Sequence, residues 1–433
     1  MGKRLFPTFV KYVSQSVMGM VGISCYILAD TWFVAAAFGA EGLAALNLAI
    51  VVYSLMNAAG LMAGIGGATL FSLSFAAGRE RRTEIFSSTA ALGLFFAVIF
   101  TGAGLFFSGG IARLLGADEV IFAMTRSYLR TILSFSLFFI MNNIFLAFVR
   151  NDGSPRLAMA AMVTGSLSNI ALDYLFIFPF GWGLFGAALA TAIAPMISLA
   201  LLSLHFVLRR SSFRPSLRRL RAGAVAKMIP LGLSSMVTEL SSAATLAAFN
   251  LMILAMAGNT GVAAYGIVAN LALVELAVFV GIAQGMQPLV SRSRGADDGH
   301  SCRLLLLYGA AFSLAVASLA YGTVFVWARQ VAGLFNSAGD ALLAAYAEEG
   351  LRIYFAGFFF GGLNVVAAAF CSAALIREGS NTCGVCTANS SSRFSVSSTR
   401  PPAARLMVSW AGTAGAAGCC AAGCWDPPWA GCP

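Results

Sequence analysis

Residues 44–76 read AALNLAIVVYSLMNAAGLMAGIGGATLFSLSFA, with no charged side chain in the run. A bilayer core about 30 Å thick needs about 20 mostly apolar residues in helical form. The run therefore predicts a membrane-spanning helix. Its Gly and Ala positions are the small residues that let such helices pack closely. Nine further stretches have the same character: 12–38, 86–110, 129–149, 157–179, 185–208, 228–256, 262–289, 304–327 and 351–375. The chain thus reads as an all-α, multi-pass membrane protein.

Composition points the same way. Of 433 residues, 59% are hydrophobic and 10% charged. Soluble domains run at about 45–50% and roughly 25%. A soluble enzyme, a DNA-binding protein and a disordered chain are excluded at this level. With 2 His and 17 Asp+Glu, and no metal-binding or nucleophilic constellation within the spans, an enzyme with a metal or cofactor is not expected.

The net charge is +10, which in a soluble protein would suggest nucleic acid. Here most basic residues sit between apolar runs. With the N-terminus inside, sixteen Lys and Arg fall on inner segments, among them Lys3, Arg4, Arg79, Arg81, Arg82 and the Arg209–Arg221 cluster. Five fall outside: Arg113, Arg126, Arg130, Arg329 and Arg352. The positive-inside rule then predicts a cytoplasmic N-terminus and a plasma-membrane location. Nucleic acid is not an expected partner, because the Arg209–Arg221 loop joins two spans.

The chain repeats itself at an offset of about 220 residues. Gly39-Ala40-Glu41-Gly42 answers Gly258-Asn259-Thr260-Gly261, and Ala68, Ser74 and Gly78 answer Gly285, Ser291 and Gly295. Leu129-Arg130, Asn142 and Phe148 answer Leu351-Arg352, Asn364 and Phe370. Such a repeat predicts two six-helix bundles related by an axis along the membrane normal. Residues 1–208 form the first bundle, 209–227 a basic linker, and 228–375 four helices of the second. The tail, 376–433, differs abruptly and holds six of the nine cysteines, with Pro401-Pro402 and Pro427-Pro428. A Cys383-x-x-Cys386 zinc site and a disulfide-bonded tail are weaker readings. The favoured expectation is a shift of reading frame near Leu375–Glu378, with this tail standing in place of the last two helices.

Ionisable residues within spans are costly and mark sites. Asp30 lies in the first span, Asn169 and Asp173 one turn apart in the fifth, and Thr191 in the sixth. At 1.5 Å per residue all four fall roughly 9–15 Å below the outer helix ends. Two carboxylates in one layer suit a shared proton, and the same oxygens suit Na⁺. The alternative is that both only hydrogen-bond neighbouring helices at a wet rim. Glu239, Glu275 and Asn364 are candidates for a second polar site.

Ala29-Asp30-Thr31-Trp32-Phe33-Val34 and Gly42-Leu43-Ala44-Ala45-Leu46-Asn47 resemble the first-helix signature of the multidrug and toxic compound extrusion (MATE) family. Ser168-Asn169-Ile170-Ala171-Leu172-Asp173, with Gly186 through Thr191, resembles its helix 5–6 signature. Val262-Ala263-Ala264-Tyr265-Gly266-Ile267 and Gly285-Met286-Gln287-Pro288 resemble that of helices 7 and 8. The resemblance runs from about residue 5 to 375 and implies secondary active export of small cationic amphipathic drugs, driven by H⁺ or Na⁺. It implies two bundles around a cleft that opens alternately to each side, a monomer in the bilayer, and a cation site at Asp30, Asn169, Asp173 and Thr191. Two departures stand out: Tyr174 follows the helix-5 aspartate where a proline is frequent, and Gln15 stands where several members carry a kinking proline. The competing readings are a flippase of lipid-linked oligosaccharides, disfavoured by the scarcity of mid-membrane Lys and Arg, and an inactive truncated remnant.

Overall fold

The computed structural model describes residues 5–74, 78–117, 119–208, 211–213, 216, 220–335 and 341–374, and the only regular structure within them is helical. Helix α1 (Leu5–Leu73) carries two spans, Leu5–Gly39 and Ala45–Leu73. They meet at Gly39, whose φ of 58° and ψ of −145° only glycine adopts without strain. Helix α2 covers Arg79–Leu114, α3 Phe122–Ser134, α4 Ser136–Asn151, α5 Pro155–Ile177 and α6 Gly183–Val207. Pro155 opens α5, where its missing N–H costs nothing. In the second half α7 runs through Ala222–Gly295, α8 covers Gly299–Phe335, α9 Ala341–Ala356 and α10 Phe358–Ala374.

By length and composition, seven helical stretches among the described residues can each cross a membrane. Two further pairs do so together: α3 with α4, bent by 49°, and α9 with α10, bent by 41°. Segments 129–149 and 351–375, read from sequence as single helices, are therefore each broken. The breaks fall at Phe135 and Gly357, 222 residues apart. That spacing matches the sequence repeat, and the order of long helices and bent pairs recurs in both halves. The tail, residues 376–433, lies outside the described residues.

The two largest cores follow the two halves, with an exchange in each direction. The larger is built from α1 to α6 together with Phe213, Ala224, Met228 and Leu231. The second lies among α7 to α10, but it also takes Leu5, Phe9, Tyr12 and Val13 from the start of α1. Helix α1 is thus shared between the halves. The connection between them is pinned to the first half. Phe213 is buried among Phe71, Phe86, Phe148 and Phe206. The Ser212 N–H donates to Asp152 Oδ2 at 2.8 Å, and His205 Nε2 meets the same oxygen at 2.8 Å.

Glycines let α1 and α7 touch backbone to backbone. A Cβ on Gly285 would stand 2.7 Å from Val13 Cα, and one on Gly281 would stand 2.6 Å from Val17 Cα. Gly66 and Gly232 face the backbones of Met228 and Met62 in the same way. Polar bridges also tie α7 to α1 and α4 near the linker end. Arg150 Nη1 donates to Gln284 Oε1 at 2.6 Å, Gln287 Nε2 to Thr69 Oγ1 at 3.1 Å, and Arg292 Nη2 to the Asn151 carbonyl at 2.8 Å. The two halves are closed against each other there.

Candidate functional site

Asp30 sits nine residues before the Gly39 turn, in the first span of α1. Asn169 and Asp173 occupy one face of α5, and Thr191 lies in the second turn after Leu184 in α6. All four side chains are buried, Asn169 and Asp173 completely. The Asn169 amide bridges the other two. Oriented so that both its ends are satisfied, Nδ2 donates to Asp173 Oδ2 at 3.0 Å and the oxygen accepts from the Thr191 N–H at 3.3 Å. Asp30 lies within electrostatic reach of Asp173.

Among the described residues, Asp30 Oδ1 and Asp173 Oδ1 have no hydrogen-bond partner. A buried carboxylate oxygen left unpaired costs free energy that a ligand can recover. Pro195 lies four residues after Thr191 in α6. A proline lacks the N–H that would take the carbonyl four residues earlier, so it withdraws the regular helical partner of the Thr191 carbonyl. Carboxylate, amide, hydroxyl and carbonyl oxygens are the donors that hard monovalent or divalent cations prefer. The set suits a proton or Na⁺. Among the described residues, no group of three His, Cys, Asp or Glu is placed to hold a metal ion.

Three tyrosines surround Asp30 that sequence reasoning had not singled out. Tyr26, one turn earlier in α1, hydrogen-bonds Tyr53, and Tyr128 lies beside Thr191. All three are within electrostatic reach of Asp30. The four-residue spacing of Tyr26 and Asp30 was a visible signal of a shared face. Tyr53 and Tyr128 gave none, because their approach depends on how the helices are rotated.

Glu239, Glu275 and Asn364 do not form one cluster. Glu239 Oε1 accepts from Asn57 Nδ2 at 3.0 Å, and Asn57 Oδ1 accepts from Asn143 Nδ2 at 2.9 Å. This chain of three crosses from α7 into α1 and α4, midway along the seam. Glu275 Oε1 and Asn364 Oδ1 are each buried without a hydrogen-bond partner among the described residues.

The family model MatE matches residues 16–175 and again 231–378, leaving out α6 and the linker between the two blocks. The chain belongs to the MatE family. Two matching blocks on the two halves agree with the internal repeat. This MatE chain is thus a multi-pass membrane transporter and not an enzyme. Among its curated relatives, multidrug export protein MepA of Staphylococcus saprophyticus is 24% identical over 362 residues, spanning 83% of this chain and 79% of the relative. MepA of Staphylococcus aureus strain NCTC 8325 is 24% identical over 367 residues, spanning 82% and 80%. Among solved structures, an outward-facing multidrug resistance MATE transporter of the MOP superfamily superposes with a TM-score of 0.80 at 24% identity, covering 84% of this chain and 82% of that one. A MOP superfamily transporter from Pyrococcus furiosus, described as having a binding pocket of reverse polarity, gives 0.77 at 22%, covering 84% and 82%.

Proposed function

We propose that this protein exports small cationic amphipathic molecules from the cell, in exchange for an inward-moving cation, H⁺ or Na⁺, by alternating access. The observation that carries the reading is the buried carboxylates Asp30 and Asp173, each with an unpartnered oxygen among the described residues and within electrostatic reach of one another, with Asn169 joining Asp173 to Thr191. Two carboxylates in a water-poor pocket repel each other. A bound cation removes that repulsion and supplies partners for the idle oxygens.

Helix α1 provides the link between this pocket and the rest of the molecule. It carries Asp30, while its first turns from Leu5 to Val13 lie in the core of the second half. A change in the pocket that tilts or rotates α1 therefore acts directly on the glycine seam with α7. Closure of the seam at the linker end fits a state open to the opposite side. The charge bias of the loops favours placing the linker and N-terminus in the cytoplasm. The names of the relatives, multidrug export proteins, support drug-like substrates. A single chain holds both halves and the whole pocket, which favours a monomeric working unit.

Asp30→Asn keeps size and hydrogen bonding but removes the charge that takes up and releases a cation. Cells producing it at natural abundance should lose resistance to cationic dyes and accumulate them as empty cells do. Normal dye exclusion by Asp30→Asn would overturn the assignment of the coupling pocket.

A further inference from the structure

Arg126 and Arg130 stand one turn apart on the exposed face of α3. They line a groove of about 690 Å³ between α3 and the start of α6, at the end of the first half away from the linker. From the start of α3 at Phe122, the two lie about 6 and 12 Å along the helix. Neither makes an ion pair among the described residues. On α2, Arg113 is held 5.2 Å over the Phe122 ring and brings a third cation to the same place.

The second half supplies an internal control. Its bent pair breaks at Gly357, which corresponds to Phe135 at the 222-residue offset. At that offset Arg352 corresponds to Arg130, and Glu348 to Arg126. Arg352 Nη2 and Glu348 Oε1 form an ion pair at 2.9 Å. The second half thus neutralises its arginine from the preceding turn. The first half carries a second arginine where that carboxylate would be. Both arginines are exposed at the outer end of this span, at the depth of lipid headgroups, so an anion from outside the chain is the partner that matches them.

The groove also says which anion. Phe135, Phe185 and Leu189 give its lower wall an apolar surface. Arginine forks match phosphate oxygens two at a time. We propose that this groove binds an anionic phospholipid of the surrounding bilayer, with its phosphate on Arg126 and Arg130 and an acyl chain along Phe135, Phe185 and Leu189. It is separate from the coupling pocket. Leu189 and Thr191 are two residues apart on α6 and so face different sides of it, with Thr191 buried inward.

The test uses the purified chain in neutral detergent, melted with phosphatidylglycerol, with phosphatidylcholine or with inorganic phosphate. Phosphatidylglycerol should raise the melting temperature by several degrees, and the other two should leave it in place. Arg126→Gln/Arg130→Gln should melt like the natural chain without lipid and lose the shift. Leu189→Trp, which fills the groove and spares both arginines, should lose it too. If the double variant does not fold, Leu189→Trp and lipid retention by the natural chain in native mass spectrometry decide the matter. The natural chain should then keep phosphatidylglycerol over phosphatidylcholine by about tenfold, the equivalent of one charge-assisted contact. Equal stabilisation by both lipids, a full shift with phosphate alone, or a shift surviving in the variants would overturn the proposal.

Discussion

At the scale of single residues, polar groups within the spans tie helices and halves together. Glu239 is one such group, since it holds Asn57, which holds Asn143. Glu239→Ala strands the Asn57 donor in the membrane interior. The variant should lose about 1–3 kcal/mol of stability, the cost of an unsatisfied buried donor. Glu239→Gln retains an acceptor and should melt close to the natural protein; melting of all three proteins in detergent checks both expectations. Pro195→Ala makes a different prediction. It restores the helical N–H to the Thr191 carbonyl. Cation affinity should fall by about tenfold, as for loss of a supporting ligand contact, while thermal stability holds or rises. The measurement is the cation concentration giving half-maximal dye efflux. Asp30, Asn169, Asp173 and Thr191 were legible in the sequence because depth along a helix follows from a fixed rise per residue. Tyr53, Tyr128, Asn57 and Asn143 were not, because depth says nothing about rotation between helices.

At the scale of elements, apolar length located the helices well and located their breaks badly. The stretches 129–149 and 351–375 are long enough to span, yet each is bent, at Phe135 and at Gly357. No proline marks either place, so the periodicity carries straight through. The two spans of α1, read from the sequence as separate helices, are separate, with the turn between them at Gly39. The seam between α1 and α7 is the element-scale feature with the sharpest consequence. A Gly285→Val side chain would collide with the Val13 backbone, not with a side chain able to move. Overpacking of that kind costs about 1–3 kcal/mol. Gly285→Val should melt earlier than the natural protein. A cysteine placed at Val17, facing Gly281, should be labelled faster by a water-soluble maleimide when Gly285→Val is also present. Unchanged melting and unchanged labelling would mean that the seam is not tightly closed in solution.

At the scale of the whole molecule, two halves with repeated element order meet along one glycine-lined seam, and α1 belongs to both. The repeat was readable from a handful of matched residues. The insertion of Leu5, Phe9, Tyr12 and Val13 into the second core was not, because nothing in a short apolar run names its partner. That insertion makes α1 the lever between the Asp30 pocket and the seam. Exchange of a cation for a drug is therefore best tested with the whole chain reconstituted in sealed proteoliposomes loaded with a pH- or Na⁺-sensitive dye. Adding a cationic amphipathic substrate should set off counter-movement of one of the two ions. In Asp30→Asn vesicles of equal protein content, that ion movement should be absent although substrate still binds. Substrate transport with no accompanying H⁺ or Na⁺ movement, or full ion movement in Asp30→Asn, would contradict coupled exchange through the Asp30 pocket.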